Sequence, residues 1–135
     1  MDVLDGPEEP ICAHFKRVIA FVDAARAQGG AVLVHCHGGV SRAAALVLAY
    51  LIEAEGLGYE AALERLRAAR PVVAPNPGFV DQLRAFAETT QARALSRDNS
   101  GRLNPHTPEG MEETAPAGGG NPFSPSHALA RAISL

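Results

Sequence analysis

Nine residues, His35-Cys36-His37-Gly38-Gly39-Val40-Ser41-Arg42-Ala43, lie between two apolar runs, Ala31-Val32-Leu33-Val34 before them and Ala44-Ala45-Leu46-Val47-Leu48 after. That order restricts the chain to a strand, a tight loop and a helix. A cysteine stands where the loop opens and an arginine where it closes. The first turn of a helix leaves backbone N–H groups without intrahelical partners, and the helix dipole adds partial positive charge there. Such a place binds oxyanions. A cysteine within it loses its proton readily, and the thiolate is the nucleophilic form. The combination points to attack on a phosphate.

The surrounding residues suit that chemistry. A free thiol titrates near pH ~8.5 and is mostly protonated at neutral pH, so the loop must lower that value. Gly38 and Gly39 let the backbone curl close to an anion, where a side chain would clash. Arg42, five intervening residues after Cys36, can turn back across the loop. Its planar fork matches two phosphate oxygens and the charge of a phosphoryl transition state. His35, at the strand end, is expected to organise the loop by hydrogen bonding rather than to carry protons.

The rest of the chain sets limits. With 135 residues it holds one domain, and a formal net charge of −3 with scattered arginines argues against nucleic acid. Two cysteines, Cys12 and Cys36, do not make a secreted disulfide scaffold. Acidic residues near the start argue against a signal peptide, and no apolar run reaches the ~20 residues of a membrane span. A cytoplasmic or nuclear protein with reduced thiols is expected. Cys12 reads as a passive apolar residue rather than a resolving partner for Cys36.

Composition shifts near Ser96. Residues 97–135 are rich in Pro, Gly and Ser and are expected to form a disordered tail, with one turn of helix at most over 127–135. Thr107-Pro108 and Ser124-Pro125 read as unmodified parts of it. Residues 1–96 form the folded unit. Phe15, Val18, Ile19 and Val22 predict an amphipathic helix from about Pro10 to Gln28, ended by Gly29-Gly30. Ala31 to His35 predicts a strand buried on both faces. An almost wholly apolar helix from Arg42 to Glu55 should be central. A further helix follows from Tyr59 to Arg70. Asn76-Pro77 reads as the cap and first residue of the last one, striped by Phe79, Val80, Leu83, Phe86 and Ala87. Val3-Leu4 offers the second strand.

These residues bring a resemblance. His35-Cys36, five residues, then Arg42, with Gly39 and Ser41 between, resembles the signature of cysteine-dependent protein-tyrosine phosphatases, its dual-specificity branch above all. Val3-Leu4-Asp5, Phe15, Gly29-Gly30, Leu48-Ala49-Tyr50-Leu51 and Asn76-Pro77-Gly78-Phe79 with Gln82-Leu83 extend it over residues 1 to 90. The resemblance implies an α/β protein-tyrosine-phosphatase-like fold: a strand–phosphate loop–helix core, about four helices, and a reduced sheet missing N-terminal strands. It implies hydrolysis of phosphotyrosine, and of phosphoserine and phosphothreonine, through a phosphocysteine at Cys36. Arg42 and the N–H groups of His37, Gly38, Gly39, Val40, Ser41 and Arg42 would cradle the phosphate. Asp5 would be the general acid and Asn76, like His35, a support of the loop. No metal or organic cofactor is implied. The absence of Lys or Arg among His37, Gly38 and Val40 favours a phosphoprotein over a highly charged inositol phosphate.

Two departures stand out. The family places Ser or Thr after the arginine, where its hydroxyl helps stabilise the departing thiolate; here the residue is Ala43. The acid loop stands at the start of the chain, where a terminus is expected to fray. Both features fit an impaired enzyme, or, as the alternative, a pseudophosphatase that binds phosphoproteins with little or no turnover. A sulfur-transfer protein leaves Asp5 and Asn76 without roles. A metal site at His35, Cys36 and His37 is poor, because neighbours in an extended chain point to opposite faces.

Overall fold

The computed structural model describes residues 1–100 and 130–135. A 3₁₀ turn at Ile11–His14 leads into α1 (Phe15–Ala27), followed by β1 (Ala31–His35) and α2 (Arg42–Glu55). Then come α3 (Tyr59–Ala69), α4 (Pro77–Ser100) and β2 (Ala130–Ser134). The four helices and the strand–loop–helix core are those expected of an α/β phosphatase-like fold with a reduced sheet.

α2 is the hub. Its side chains Ala45, Leu46, Leu48, Ala49 and Ile52 are fully buried, and α1, α3 and α4 all pack around it. Phe15 from α1 meets Phe86 from α4 edge to face, with centroids 5.0 Å apart and planes at 64°. Ile11, Phe79 and Leu83 complete the same cluster. Each such side chain contributes about 1.5–3 kcal/mol by leaving water. α1 ends as the glycines required: Gly29 has φ +71, and the N–H of Gly30 returns to Ala25 O at 2.9 Å. Gly56, at φ +64, closes α2 in the left-handed conformation. Among the described residues, no helix is long and apolar enough to cross a membrane.

Several sequence expectations need correction. The first helix does not run unbroken from Pro10. Residues 11–14 form a 3₁₀ turn, and the regular helix begins at Phe15. β1 is not buried on both faces, since Val32 and Val34 pack on the core while Leu33 is 60% exposed. Continuous apolarity suited a strand between two layers, but the helices that contact β1 leave the Leu33 side open. Val3-Leu4 makes no strand. Val3 is buried as a core residue and Leu4 points to solvent.

The second strand comes instead from the last residues. β2 pairs parallel with β1, from Ala31 opposite Ala130 to His35 opposite Ser134, and the Leu135 N–H donates to His35 O at 3.2 Å. Ile133 enters the core. An isolated turn of helix has too few hydrogen bonds to persist there, whereas strand pairing satisfies the β1 backbone and buries Ile133. α4 also runs on to Ser100, past the composition change at Ser96. The remaining expectations about the tail, including Thr107-Pro108 and Ser124-Pro125, concern residues 101–129 and lie outside the described residues.

Candidate active site

β1 delivers Cys36 to the mouth of the loop, and α2 begins at Arg42 on its far side. Cys36 is half-buried and unbridged. The Gly39 N–H donates to its Sγ at 3.3 Å. Burial by itself pushes the thiol upward. The backbone N–H groups of Ala43, Gly39 and Gly38, then the charge of Arg42, more than offset that, and the thiol titrates below its ordinary range. Of the amides expected from His37 to Arg42, those of Gly38 and Gly39 reach the thiol, and that of Ala43 joins them.

Arg42 has two environments. Its Nη1 donates to Val3 O at 3.0 Å, which ties the N-terminal segment to the loop. Its Nε is buried without a hydrogen-bond partner among the described residues. A buried, unpaired donor on a cation is costly, and an oxyanion in the loop is the kind of acceptor it lacks.

Ser41 is buried and joins three segments. Its hydroxyl donates to Asp5 Oδ1 at 2.7 Å and accepts from the Asn76 backbone N–H at 3.0 Å. The Asn76 side chain donates to the same Asp5 oxygen at 2.9 Å, while its own Oδ1 accepts the Phe79 N–H at 3.0 Å. Asn76 is thus both the cap of α4 and a support of the Asp5 segment. The cap saturates one of the free donors at the helix start.

The N-terminal segment is not frayed. Gln82 accepts from the Cys12 N–H at 3.0 Å and donates to Glu9 O at 2.9 Å. Gly78 lies so close beneath this segment that a Cβ there would overlap the carbonyl of Pro7. Val3 and Ile11 anchor the stretch in the core on either side of Asp5. The expectation of a loose terminus fails because α4 serves as its dock.

Of the residues expected in the site, the structure brings together Cys36, Gly38, Gly39, Ser41, Arg42, Asp5 and Asn76. Val40 takes part through its backbone carbonyl, which accepts from the Ala74 N–H at 3.0 Å. His37 is exposed at the rim. His35 does not organise the loop through its ring: the side chain is exposed, makes no hydrogen bond among the described residues, and its backbone serves in β1.

One contributor was missed. Arg70, read only as a helix end, donates from Nε to Gly39 O at 3.0 Å and from Nη2 to Gly38 O at 3.4 Å. The available signal was an arginine directly before the helix-stopping Pro71, six residues ahead of Asn76. Beside the thiol opens a cleft of about 400 Å³ lined by Cys36, His37, Gly39, Val47, Leu66 and Arg70, among others.

A thiol ringed by amides between a strand and a helix, with an arginine at the helix start, defines a protein of the cysteine-dependent phosphatase class. Comparison with known proteins refines this. Residues 1–89 match the family model of the dual specificity phosphatase catalytic domain. Mouse dual specificity protein phosphatase 15 is 45% identical over 86 residues, covering 64% of this chain and 37% of that protein. The crystal structure of human dual specificity phosphatase 28 superposes with a TM-score of 0.64 at 43% identity, over 66% of this chain and 60% of that one. A mouse dual specificity phosphatase complexed with zinc tungstate gives 0.66 at 40% identity, over 69% of this chain and 58% of that one. The chain belongs to the dual specificity phosphatase catalytic-domain family. It spans little more than a third of the length of mouse dual specificity protein phosphatase 15.

Proposed function

We propose that this protein hydrolyses phosphotyrosine, and phosphoserine or phosphothreonine, in phosphoproteins through a phosphocysteine intermediate. The observation that carries the reading is the Cys36 thiol at the mouth of the loop, with the Gly39 N–H on its Sγ at 3.3 Å, in a chain whose residues 1–89 match the dual specificity phosphatase catalytic domain. The amides of Ala43, Gly39 and Gly38 and the charge of Arg42 draw its pKa down. In the first step the Cys36 thiolate attacks phosphorus. The S–P bond forms as the bond to the substrate oxygen breaks, and Asp5 gives that oxygen a proton. In the second step water attacks phosphorus, Asp5 takes its proton, the S–P bond breaks, and inorganic phosphate leaves with the thiolate restored.

Asp5 Oδ1 is occupied by the Ser41 hydroxyl and the Asn76 amide, so the proton in transit belongs on Oδ2. The loop amides from His37 to Arg42 and the Arg42 guanidinium carry the charge of the transition state. The unpartnered Arg42 Nε supports this role. Tungstate, with which the similar mouse protein is complexed, is an oxyanion, and that complex supports oxyanion binding by this chain. A nucleophile that must stay a thiolate, with both cysteines free, suits a reducing compartment, the cytoplasm or the nucleus.

The test is release of inorganic phosphate from an aryl phosphate and from phosphopeptides by the full chain beside Cys36→Ser. Release by the parent and none by the variant is expected. No release by a folded parent that binds tungstate would leave a phosphoprotein-binding module instead.

A further inference from the structure

The loop carbonyls are held from outside as carefully as its amides are turned inward. In a trans peptide the C=O and the next residue's N–H point in opposite directions. Whatever fixes a carbonyl therefore fixes the following amide. Arg70 Nη2 holds Gly38 O, Arg70 Nε holds Gly39 O, and the Ala74 N–H holds Val40 O. The amides of these three peptide planes belong to Gly39, Val40 and Ser41. The first of them is seen donating to Cys36 Sγ.

We propose that Arg70 is a positioning residue that keeps the Gly39 and Val40 amides turned toward the thiol and the oxyanion site. It sets the reactivity of Cys36 without touching the reacting atoms. Its bonds run to backbone carbonyls rather than to a carboxylate, as a surface ion pair would. Gly39 makes room for it: at φ +63, a Cβ would stand only 2.9 Å from Arg70 Nη2. The segment that carries Arg70 is itself fixed. The Arg70 N–H donates to Leu66 O at 2.8 Å, Val73 N–H donates to Arg70 O at 3.3 Å, and Arg67 Nε donates to Val73 O at 2.9 Å. A planar guanidinium spans two adjacent carbonyls, whereas an ammonium meets one at a time.

The inference rests on the phosphatase reading for its effect on turnover, but its effect on the thiol is measured independently. The test uses the full chain in a Cys12→Ser background, with Arg70→Lys and Arg70→Met. Iodoacetamide alkylation of Cys36 is followed against pH, and binding of inorganic tungstate by calorimetry. The methionine variant should show a higher alkylation midpoint and tungstate binding weaker by about tenfold, the scale of one lost hydrogen bond to a charge. Arg70→Lys keeps the charge and the stem but loses the fork, and should show most of that shift.

A lysine variant indistinguishable from the parent would mean that charge, not positioning, is at work, and would overturn the proposal. So would unmoved midpoints and affinities in both variants. Should Arg70→Met fail to fold by circular dichroism, the lysine variant decides alone. A parent without phosphate release whose variants still shift the midpoint refutes the phosphatase reading and leaves Arg70 in place. A parent that turns over, with variants that do not shift, does the reverse.

Discussion

The side-chain amide of Asn76 donates to Asp5 Oδ1 at 2.9 Å, across seventy-one residues of sequence. The same asparagine caps α4 and holds the Ser41 hydroxyl through its backbone. The Asp5 carboxylate, the loop after Cys36 and α4 therefore meet at one residue. Replacing Asn76 with Ala should lower stability by about 1 kcal/mol through the lost cap. It should also leave Asp5 held by Ser41 alone. Turnover should fall more for phosphoserine peptides than for aryl phosphates, because poor leaving groups need the proton more. Asp5→Asn should show the same bias on a larger scale, a loss of about a hundredfold to ten-thousandfold. Equal losses on both substrates in Asp5→Asn would remove Asp5 from the acid role.

The thiol carries a pH signature with a defined sign. Its folded pKa lies below the ordinary value because the Ala43, Gly39 and Gly38 amides and the Arg42 charge outweigh burial. A group depressed on folding contributes stability above its unfolded pKa and loses it as pH falls through the folded one. The difference in unfolding free energy between the parent and Cys36→Ser, in a Cys12→Ser background, should grow as pH rises through that window. It should level off above the free-thiol value of about 8.5. Denaturant titrations across pH read it directly; a flat difference would show that the amides do not stabilise a thiolate.

Gly78 carries a different constraint. It lies at the start of α4, where a Cβ would run into the Pro7 carbonyl and carbonyl carbon. These are backbone atoms, which do not swing aside as a flexible side chain does. Gly78→Ala should push the Asp5 segment off α4, break the Gln82 bonds to Cys12 and Glu9, and cut turnover while Cys36 alkylation persists. Crystals or amide exchange of residues 3–12 would show the segment released. A variant with parental exchange rates there would contradict the close packing.

What the sequence disclosed divides along physical lines. The loop, the Asn76-Pro77 helix start, the Gly29 and Gly56 stops and the central position of α2 were legible, because local rules govern each. The loop is one continuous stretch from Cys36 to Arg42 between a strand and a helix, so reading its outline needed no tertiary information. The partner of β1 was not legible. Parallel pairing with Ala130–Ser134 joins positions ninety-nine residues apart, and no turn chemistry announces it. The exposed Leu33 misled for the same reason, since burial of a strand face depends on the layers that happen to cover it. Arg70 escaped notice because its bonds go to backbone carbonyls, which leave no pattern in side-chain composition. The docking of the N-terminal segment was hidden likewise, as Gly78 and Gln82 act on main-chain atoms.

Ala43 offers the sharpest test of the proposed reaction. The family position after the arginine carries a hydroxyl, and here a buried methyl, 4% exposed, takes its place. The Ala43 backbone N–H still reaches the thiol and helps lower its pKa without the side chain. What is missing is a donor to the sulfur as it leaves the phosphocysteine. A hydrogen bond to a charged group contributes about 1.5–3 kcal/mol, and its absence slows breakdown by about tenfold to a hundredfold. Formation of the intermediate should therefore outrun its hydrolysis. Rapid mixing with an aryl phosphate should give a burst of the phenol followed by slow turnover. Ala43→Ser should accelerate the steady state and shrink the burst, with the alkylation midpoint of Cys36 moving little. A parent with no burst, together with a serine variant no faster than the parent, would place the slow step at attack rather than at release.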